Sequence, residues 1–559
     1  MQTRTQFRPI SLQPIEDERP PSFFTPDRLF LLALFGAIIV TGYFVTKVLQ
    51  FNSLPIEDAA MLMRYAVHIA QGDGIVWNIG APPVDGGTDF LFMIVLAGMV
   101  KVGLSVTIAA RVIGIVSHVL TVLIVYYTIV KLHKCSRWAA LLSATYLAIG
   151  PALVYIAAYF GTPFFALFAC LTWYCANKLV APNRSRSMPL LFALSGLTLG
   201  LIRPEGVILA TFMLCAVVYM QGLKPSLGIV TTFLVVFLSI GGAYFLWRWH
   251  YFGYPLPNPF YKKGGGHLYL SSLIDSIRMV IHLCGPFTLA FIVGFRSRKT
   301  FKPTVFLLIP TVGFTVIWVL LSSEMNFEGR FQYAILPIVC MSWPVLIKGI
   351  TQDFRLPRLN LFNQRTRLIL FALISAFCLI LALYQSSIDT QNVYYHDGNY
   401  DVATMLQAYS GKNYTMATTE AGLLPFYSQW NDIDTWGLND QWIAHNGQIT
   451  SAYLDRYKPE LIMFHASFSP VVPITAPTNV APWLVNWFPM VMTLKHYAET
   501  HHYILAAAFG VSPYDTYYYY IRRDFPDSAA IVSKIQHINY YDYTTGERCV
   551  NYALVHPHQ

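Results

Sequence analysis

Between Phe30 and Ile388 the chain offers one apolar stretch after another, most of them close to the length that crosses a ~30 Å hydrocarbon core; after Ile388 it offers none. That pattern restricts the first two thirds to a helical bundle, since inside lipid a helix satisfies its own backbone. The spans fall at 29–50, 106–130, 138–154, 163–180, 189–202, 206–221, 227–250, 277–295, 303–321, 332–348 and 367–386. The expected fold class is a polytopic α-helical membrane protein of about 11 transmembrane helices with a C-terminal soluble α/β domain. Only 12% of residues are charged, against ~25% in soluble domains. The first apolar run starts near Leu29, behind a polar tail, and is too long for a signal-peptide core, so it reads as an uncleaved first helix.

Charge divides the chain at the same place. Residues 388–559 carry 8 Lys and Arg against 15 Asp and Glu, a balance of −7, and the remainder has +16. The excess basic residues sit in short loops between apolar segments: Arg4–Arg28, Lys131–Arg137, Lys178–Arg186, Arg296–Lys302 and Lys348–Arg367. They read as topology determinants, and nucleic-acid binding is excluded. Phe90–Val102 is apolar but about a dozen residues long, so it is read as interfacial or re-entrant. All five clusters then lie in the cytoplasm. This gives a cytoplasmic tail (1–28), a membrane domain (29–386) with a long first outer loop (51–105), and an extracytoplasmic α/β domain (387–559) of a multi-pass plasma (inner) membrane protein. In that last domain Asp401–Tyr409 reads as helix, and Glu460–His465 and Tyr517–Arg522 read as strands. Eight cysteines form no CxxC or Cys/His ligand spacing.

The residues with chemistry cluster on the outer side. Glu57 and Asp58 open a helical pattern in the first outer loop, where a helix start favours acids. They read either as a cap or as a carboxylate base aimed at the membrane cavity. Adjacent residues on a helix diverge by about 100°, so one is expected to be the base and the other to cap or orient; Asp58 is favoured because Ala59-Ala60 leaves space beside it. Arg64 lies on the same helix. Asn78, Asp85, Thr88 and Asp89 follow in turn-rich loop, and Glu205 and Asn258 come later; these are the candidates for contacting sugar or acceptor. Arg203 (in the charged break Arg203-Pro204-Glu205), Arg248, Lys262, Lys263 and Arg330 are outer cations that run against the topology bias, which makes them candidates for a donor phosphate. A sugar moving from a lipid phosphate to a hydroxyl needs a base for the hydroxyl and cations for the leaving phosphate. No cofactor is specified by the sequence, and the acidic loop is a candidate place for a divalent cation.

The order Glu57-Asp58-Ala59, Arg64-Tyr65-Ala66, Gly72-Asp73-Gly74-Ile75-Val76-Trp77-Asn78 and Asp85-Gly86-Gly87-Thr88 resembles bacterial GT-C glycosyltransferases similar to the terminal β-(1→2)-arabinofuranosyltransferase family. Arg203-Pro204-Glu205-Gly206, Leu256-Pro257-Asn258, Gly329-Arg330-Phe331 and Ala421–Tyr427 agree with it. The resemblance implies a polyprenyl-phosphate-linked sugar donor, a glycan or glycolipid acceptor, work on the extracytoplasmic side of the bilayer, and a base from the acidic pair. Glu57 stands where the family has Asp, and the Asp85–Thr88 turn lacks the family's Tyr. A lipid-linked sugar flippase or transporter would also have many helices and buried charge, but it needs no outer domain, and no inverted repeat is visible.

Overall fold

The computed structural model describes residues 26–50, 52–182, 184–263, 268–353, 373, 375–385, 395–474 and 484–555. Most of the basic tail and of the Lys348–Arg367 cluster, and the start of the last expected span, lie outside these residues.

The membrane domain is built from α1 (Pro26–Val48), α4 (Val106–Tyr127), α5 (Arg137–Ala148), α6 (Ala152–Ala157), α7 (Thr162–Val180), α8 (Met188–Ile202), α9 (Glu205–Gln221), α10 (Leu223–Val236), α11 (Gly242–Phe252), α13 (Leu270–Cys284), α14 (Leu289–Phe295), α15 (Arg298–Val316), α16 (Ile335–Asp353) and α17 (Ser375–Gln385). Among the described residues, seven continuous helical stretches are long and apolar enough to cross a membrane, and α8, α9, α16 and α17 are shorter apolar helices. Their positions match the expected spans, the last of them only in part among the described residues. Three spans are not uniform helices. α5 and α6 are separated at Gly150-Pro151, where proline has no N–H to continue the ladder. α10 passes into α11 through a wide turn at Phe237–Gly241, and α13 into α14 through a tight turn at Gly285–Thr288.

Between α1 and α4, α2 (Glu57–Gln71) is followed by α3 (Phe90–Lys101). α3 has 12 residues, about 18 Å of helix, too short to span. Its Phe92, Met93, Leu96 and Ala97 are buried. Arg137 at the start of α5 pairs with Asp27 at the start of α1, and His133 bonds Asn177 at the end of α7 at 3.1 Å. Three of the basic clusters therefore gather at one end of the bundle. Reporter fusions check which side that end faces: one after Gln385 is expected to be extracytoplasmic and one after Arg298 cytoplasmic, and the opposite result for either breaks the topology. The expected break at Arg203-Pro204 is present, with Arg203 extended between α8 and α9. A Cβ on Gly206 would stand 2.3 Å from the Leu199 carbonyl oxygen, so glycine lets the two helices close there.

The C-terminal domain is a six-stranded mixed sheet in the order β2-β1-β3-β5-β4-β6: β1 (Thr415–Thr418), β2 (Asn431–Asp434), β3 (Leu461–Ala466), β4 (Ile504–Ser512), β5 (Asp515–Ile521) and β6 (Val550–Asn551). β1 is parallel to β2 and β3, and β3 pairs antiparallel with β5. The tyrosine run is a central strand buried on both faces, its side chains alternating between them. Tyr518 and Tyr520 pack with Ile462 and Phe464 under α20 (Gln441–Asn446), α21 (Ser451–Tyr457) and α22 (Leu484–Thr500). Tyr517 and Tyr519 pack with Leu461 and Met463 under α18 (Gly398–Leu406), α19 (Leu423–Ser428) and α23 (Ser528–Gln536).

Candidate active site

α2 is buried on most of its surface: Ala59 through Ala66 and His68 are all buried. It lies between the membrane helices and the soluble domain, so one amphipathic stripe is not what it presents. Its N-cap is Ile56, and no side chain caps it. The first two residues therefore direct their carboxylates elsewhere.

Asp58 pairs with Arg330, which is itself buried. The Arg330 guanidinium lies 4.1 Å from the Phe160 ring centroid and 4.9 Å from that of Phe331. Its buried Nε meets no acceptor among the described residues. Burial works to raise the Asp58 carboxyl, but Arg330, with Lys263 and Arg203 beyond it, outweighs burial and holds it below the usual carboxylate range. Asp58 is thus ionised at neutral pH.

Glu57 has a different environment. Its Oε2 accepts the Leu423 N–H at 2.8 Å, at the start of α19 in the soluble domain. Burial raises its carboxyl well above the usual range, and Glu420 and Asp397 add to the rise. Asp397 is itself pushed up to about 7, by burial first and by Glu420. A Cβ on Gly422 would stand 2.2 Å from the Glu57 carbonyl oxygen and 2.2 Å from Oε2. Only glycine permits this approach.

Two cavities meet at the acidic pair. One, of about 380 Å³, is lined by Glu57, Asp58, Lys263 and Glu324 from the membrane side and by Glu420, Asp434, Trp436, His465 and Trp487 from the soluble side. The other, of about 340 Å³, is lined by Ile56, Glu57, Asp58, Phe160 and Phe327 together with Asp397, Glu420 and Tyr517. Asp58 borders both, so the space beside it comes from these cavities, because Ala59 and Ala60 are packed.

Of the expected phosphate-binding cations, Lys263 lines the first cavity and Arg330 stands directly behind Asp58. Arg203 is held by Asp89 at 2.7 Å and Glu205 at 2.6 Å, with its guanidinium 5.0 Å from the Phe331 ring. Arg203 and Arg330 thus share one aromatic residue, and the Asp89–Glu205 pair backs the site. Lys262, in the short α12 (Asn258–Lys263), turns away: its Nζ donates to the Gly447 carbonyl at 2.7 Å over the Trp436 ring. Arg248 makes a two-point ion pair with Asp85 at 2.7 Å.

The other candidates join the two domains. Arg64 donates to the carbonyls of Trp77 at 2.8 Å, Trp430 at 2.8 Å and Pro425. Asn78 brackets Asp432, accepting from its N–H at 2.9 Å and donating to its carbonyl at 2.8 Å. Asn258 donates to the Leu438 carbonyl at 3.2 Å. A Cβ on Gly86 would meet Asn439 Oδ1 at 2.2 Å, so the Asp85-Gly86-Gly87-Thr88 turn is pressed against the soluble domain. Thr88 is half-buried and borders neither cavity. Among the described residues, no three His, Cys, Asp or Glu side chains are arranged to hold a metal ion.

The sequence reading did not pick out Glu420, His465, Asp515 or Glu324. His465 sits with Nδ1 3.7 Å from Glu420 Oε1, its Nε2 on Asp515, and its ring stacked on Tyr517 at 4.3 Å. Burial disfavours the charged ring, but the bonds to Asp515 and Glu420 outweigh burial and raise its pKa to about 9. The available signal was position: Glu420 immediately precedes Ala421–Tyr427, and His465 lies at the end of an apolar strand run.

Residues 388–521 match a family model described as a domain of unknown function, DUF8728. No curated protein sequence matches the chain. Among solved structures, the chain is similar to ArnT from Cupriavidus metallidurans, in the apo state and bound to undecaprenyl phosphate; each has a TM-score of 0.56 at 12% identity and covers 89% of this chain and 98% of that one. It is also similar to the archaeal oligosaccharyltransferase AglB from Archaeoglobus fulgidus, solved with an inhibitory peptide and a dolichol-phosphate, with a TM-score of 0.50 at 12% identity over 90% of this chain and 75% of that one. The chain has the GT-C membrane fold. The likeness extends to GT-C proteins in general and does not single out the arabinofuranosyltransferase subfamily.

Proposed function

We propose that the chain is a membrane glycosyltransferase that moves a sugar from a polyprenyl-phosphate donor to a hydroxyl of an envelope glycan or glycolipid on the extracytoplasmic side. The observation that carries this reading is Asp58: an ionised carboxylate, held by Arg330, where two cavities meet between the membrane helices and the soluble domain. The structures similar to this chain include one bound to undecaprenyl phosphate and one in complex with a dolichol-phosphate, and both ligands are lipid phosphates of the class proposed here.

The acceptor hydroxyl oxygen bonds to the anomeric carbon while the bond from that carbon to the phosphate oxygen breaks. Asp58 takes the hydroxyl proton, and polyprenyl phosphate departs with the electron pair. The leaving oxygens gain negative charge, which Lys263 in the first cavity meets directly and Arg330, behind Asp58, offsets by its charge. Glu57 positions the soluble domain through Leu423. Arg64, Asn78, Asp85 and Asn258 hold the loops in register, and Arg203 with Asp89 and Glu205 supports Arg330 through Phe331.

Membranes containing the chain are given a radiolabelled polyprenyl-phosphate sugar and envelope extract as acceptor. Chain-dependent loss of label from the lipid is expected, and no such loss sinks the reading. Lys263→Ala and Arg330→Ala should each lower donor use by about one to two decades, since a charge-assisted contact contributes roughly 1.5–3 kcal/mol. Lys262→Ala removes a bond to Gly447 and not a cavity cation, so it should change donor use less. A larger donor defect for Lys262→Ala than for Lys263→Ala reverses the assignment.

A further inference from the structure

The soluble sheet has its own topological switch point. From β1 the chain crosses to β2 on one side, whereas β3 lies on the other side of β1. In open α/β sheets such a reversal leaves a crevice at the carboxyl ends of the two strands flanking it, and ligands bind there. Here the strands are β1 and β3, parallel neighbours. Thr419 and Glu420 follow the end of β1, and His465 and Ala466 end β3; all four line the 380 Å³ cavity, with Asp434 from the end of β2. The crevice of the sheet and the cavity that reaches Asp58 are one space.

The lining of that space has a definite chemistry. Trp436 and Trp487, with ring centroids 5.4 Å apart, form an aromatic wall. Trp487 Nε1 is pinned to the His465 carbonyl at 3.0 Å, which fixes its plane. The same cavity is lined by the Glu420–His465–Asp515 trio, in which His465 links the two carboxylates. Flat aromatic faces beside fixed carboxylate acceptors suit a ring with apolar C–H faces and hydroxyl edges. The lining has six acids, Glu57, Asp58, Glu324, Glu420, Asp434 and Asp515, against Lys263 and His465. Burial raises the Glu57, Glu324 and Asp434 carboxyls, so the lining is less negative than the count, yet a carboxyl-rich wall still disfavours a second anion brought alongside the donor phosphate. The volume falls within the range of small-ligand pockets, ~300–1,000 Å³.

Resting on the transferase reading above, we propose that this crevice is the acceptor subsite, that it takes a neutral saccharide stacked on Trp436 and Trp487, and that Glu420, positioned by His465 and Asp515, accepts hydrogen bonds from its hydroxyls. The soluble domain then completes the site by carrying the acceptor to Asp58.

The test uses the full chain in lipid nanodiscs. Saturation-transfer NMR measures binding of neutral arabino-, manno- and gluco-trisaccharides and of uronate-containing trisaccharides of equal length. Thermal shift measures undecaprenyl phosphate binding on the same samples. At least one neutral trisaccharide should bind better than every uronate. Trp436→Ala and Glu420→Gln should each weaken it about tenfold or more while leaving undecaprenyl phosphate binding within about twofold of the parent, which also shows that the variants are folded. The proposal is overturned if no neutral trisaccharide binds, if a uronate binds better, or if both variants bind like the parent. A parent that binds a neutral saccharide but no undecaprenyl phosphate overturns the donor half alone, which separates the failure of the two readings.

Discussion

Asp58→Asn is expected to transfer sugar at least ~10²-fold more slowly than the parent, with undecaprenyl phosphate still bound. The amide keeps the shape of the carboxylate and can still accept a bond from Arg330, but it cannot take a proton. Because Arg330 holds the Asp58 carboxyl low, the base is ionised throughout the neutral range. Asp58 should therefore remain a base as pH falls to the usual Asp range of ~3.9, and a change in rate near pH 7 reports Asp397, which is pushed up to about 7, and not the base. Glu57→Gln should cost less in turnover and act through the seat of α19, since Glu57 receives the Leu423 N–H. An assay of membranes with a synthetic polyprenyl-phosphate sugar compares the two single variants and the double variant. If the double variant transfers at the parent rate, this loop is not the catalytic one and the mechanism fails.

The membrane half of the fold was legible because apolar length is a strong and local signal. Even Phe90–Val102 was legible as a helix too short to span, by counting residues. The acidic pair stood out because two acids open a helix between apolar segments, but the different surroundings of the two were not legible. Asp58 meets Arg330 from 272 residues away, and Glu57 meets Leu423 from 366 away. Sequence order does not encode such contacts in any local pattern. For the same reason Glu420 and His465 were missed: each is ordinary in its own stretch, and only the parallel pairing of β1 with β3 brings them together. Lys262 and Lys263 show the limit most directly, since adjacent identical side chains diverge, one to the Gly447 carbonyl and the other to the cavity.

Arg64→Ala is expected to release the soluble domain from the first outer loop. At the sequence level Arg64 is a candidate for binding sugar or acceptor; in the structure it is 4% exposed and borders neither cavity. Its Nε donates to Trp77 O at 2.8 Å and its Nη2 to Trp430 O at 2.8 Å and Asn78 Oδ1 at 3.1 Å, while Nη1 reaches Pro425 O. The guanidinium also lies 4.8 Å from the Trp77 ring. Burial lowers its pKa to about 10, so the group stays charged and its donors must all be met. Alanine takes the Arg64 donor from the buried Trp77 and Trp430 carbonyls, at roughly 1–3 kcal/mol each, while the Pro425 carbonyl keeps the Gln429 N–H at 3.2 Å. That loss is a sizeable part of the ~5–15 kcal/mol that stabilises a whole domain. Lysine keeps the charge but not the planar fork, so Arg64→Lys should fall between alanine and the parent. Scanning calorimetry in nanodiscs reads the effect: Arg64→Ala should melt in two separate steps, the soluble domain first, where the parent melts in one. Transfer should fall with it, because both cavities lie between the parts that come apart. An Arg64→Ala protein that melts and transfers like the parent would falsify the view that this residue clamps the domains, and would return it to the list of substrate contacts.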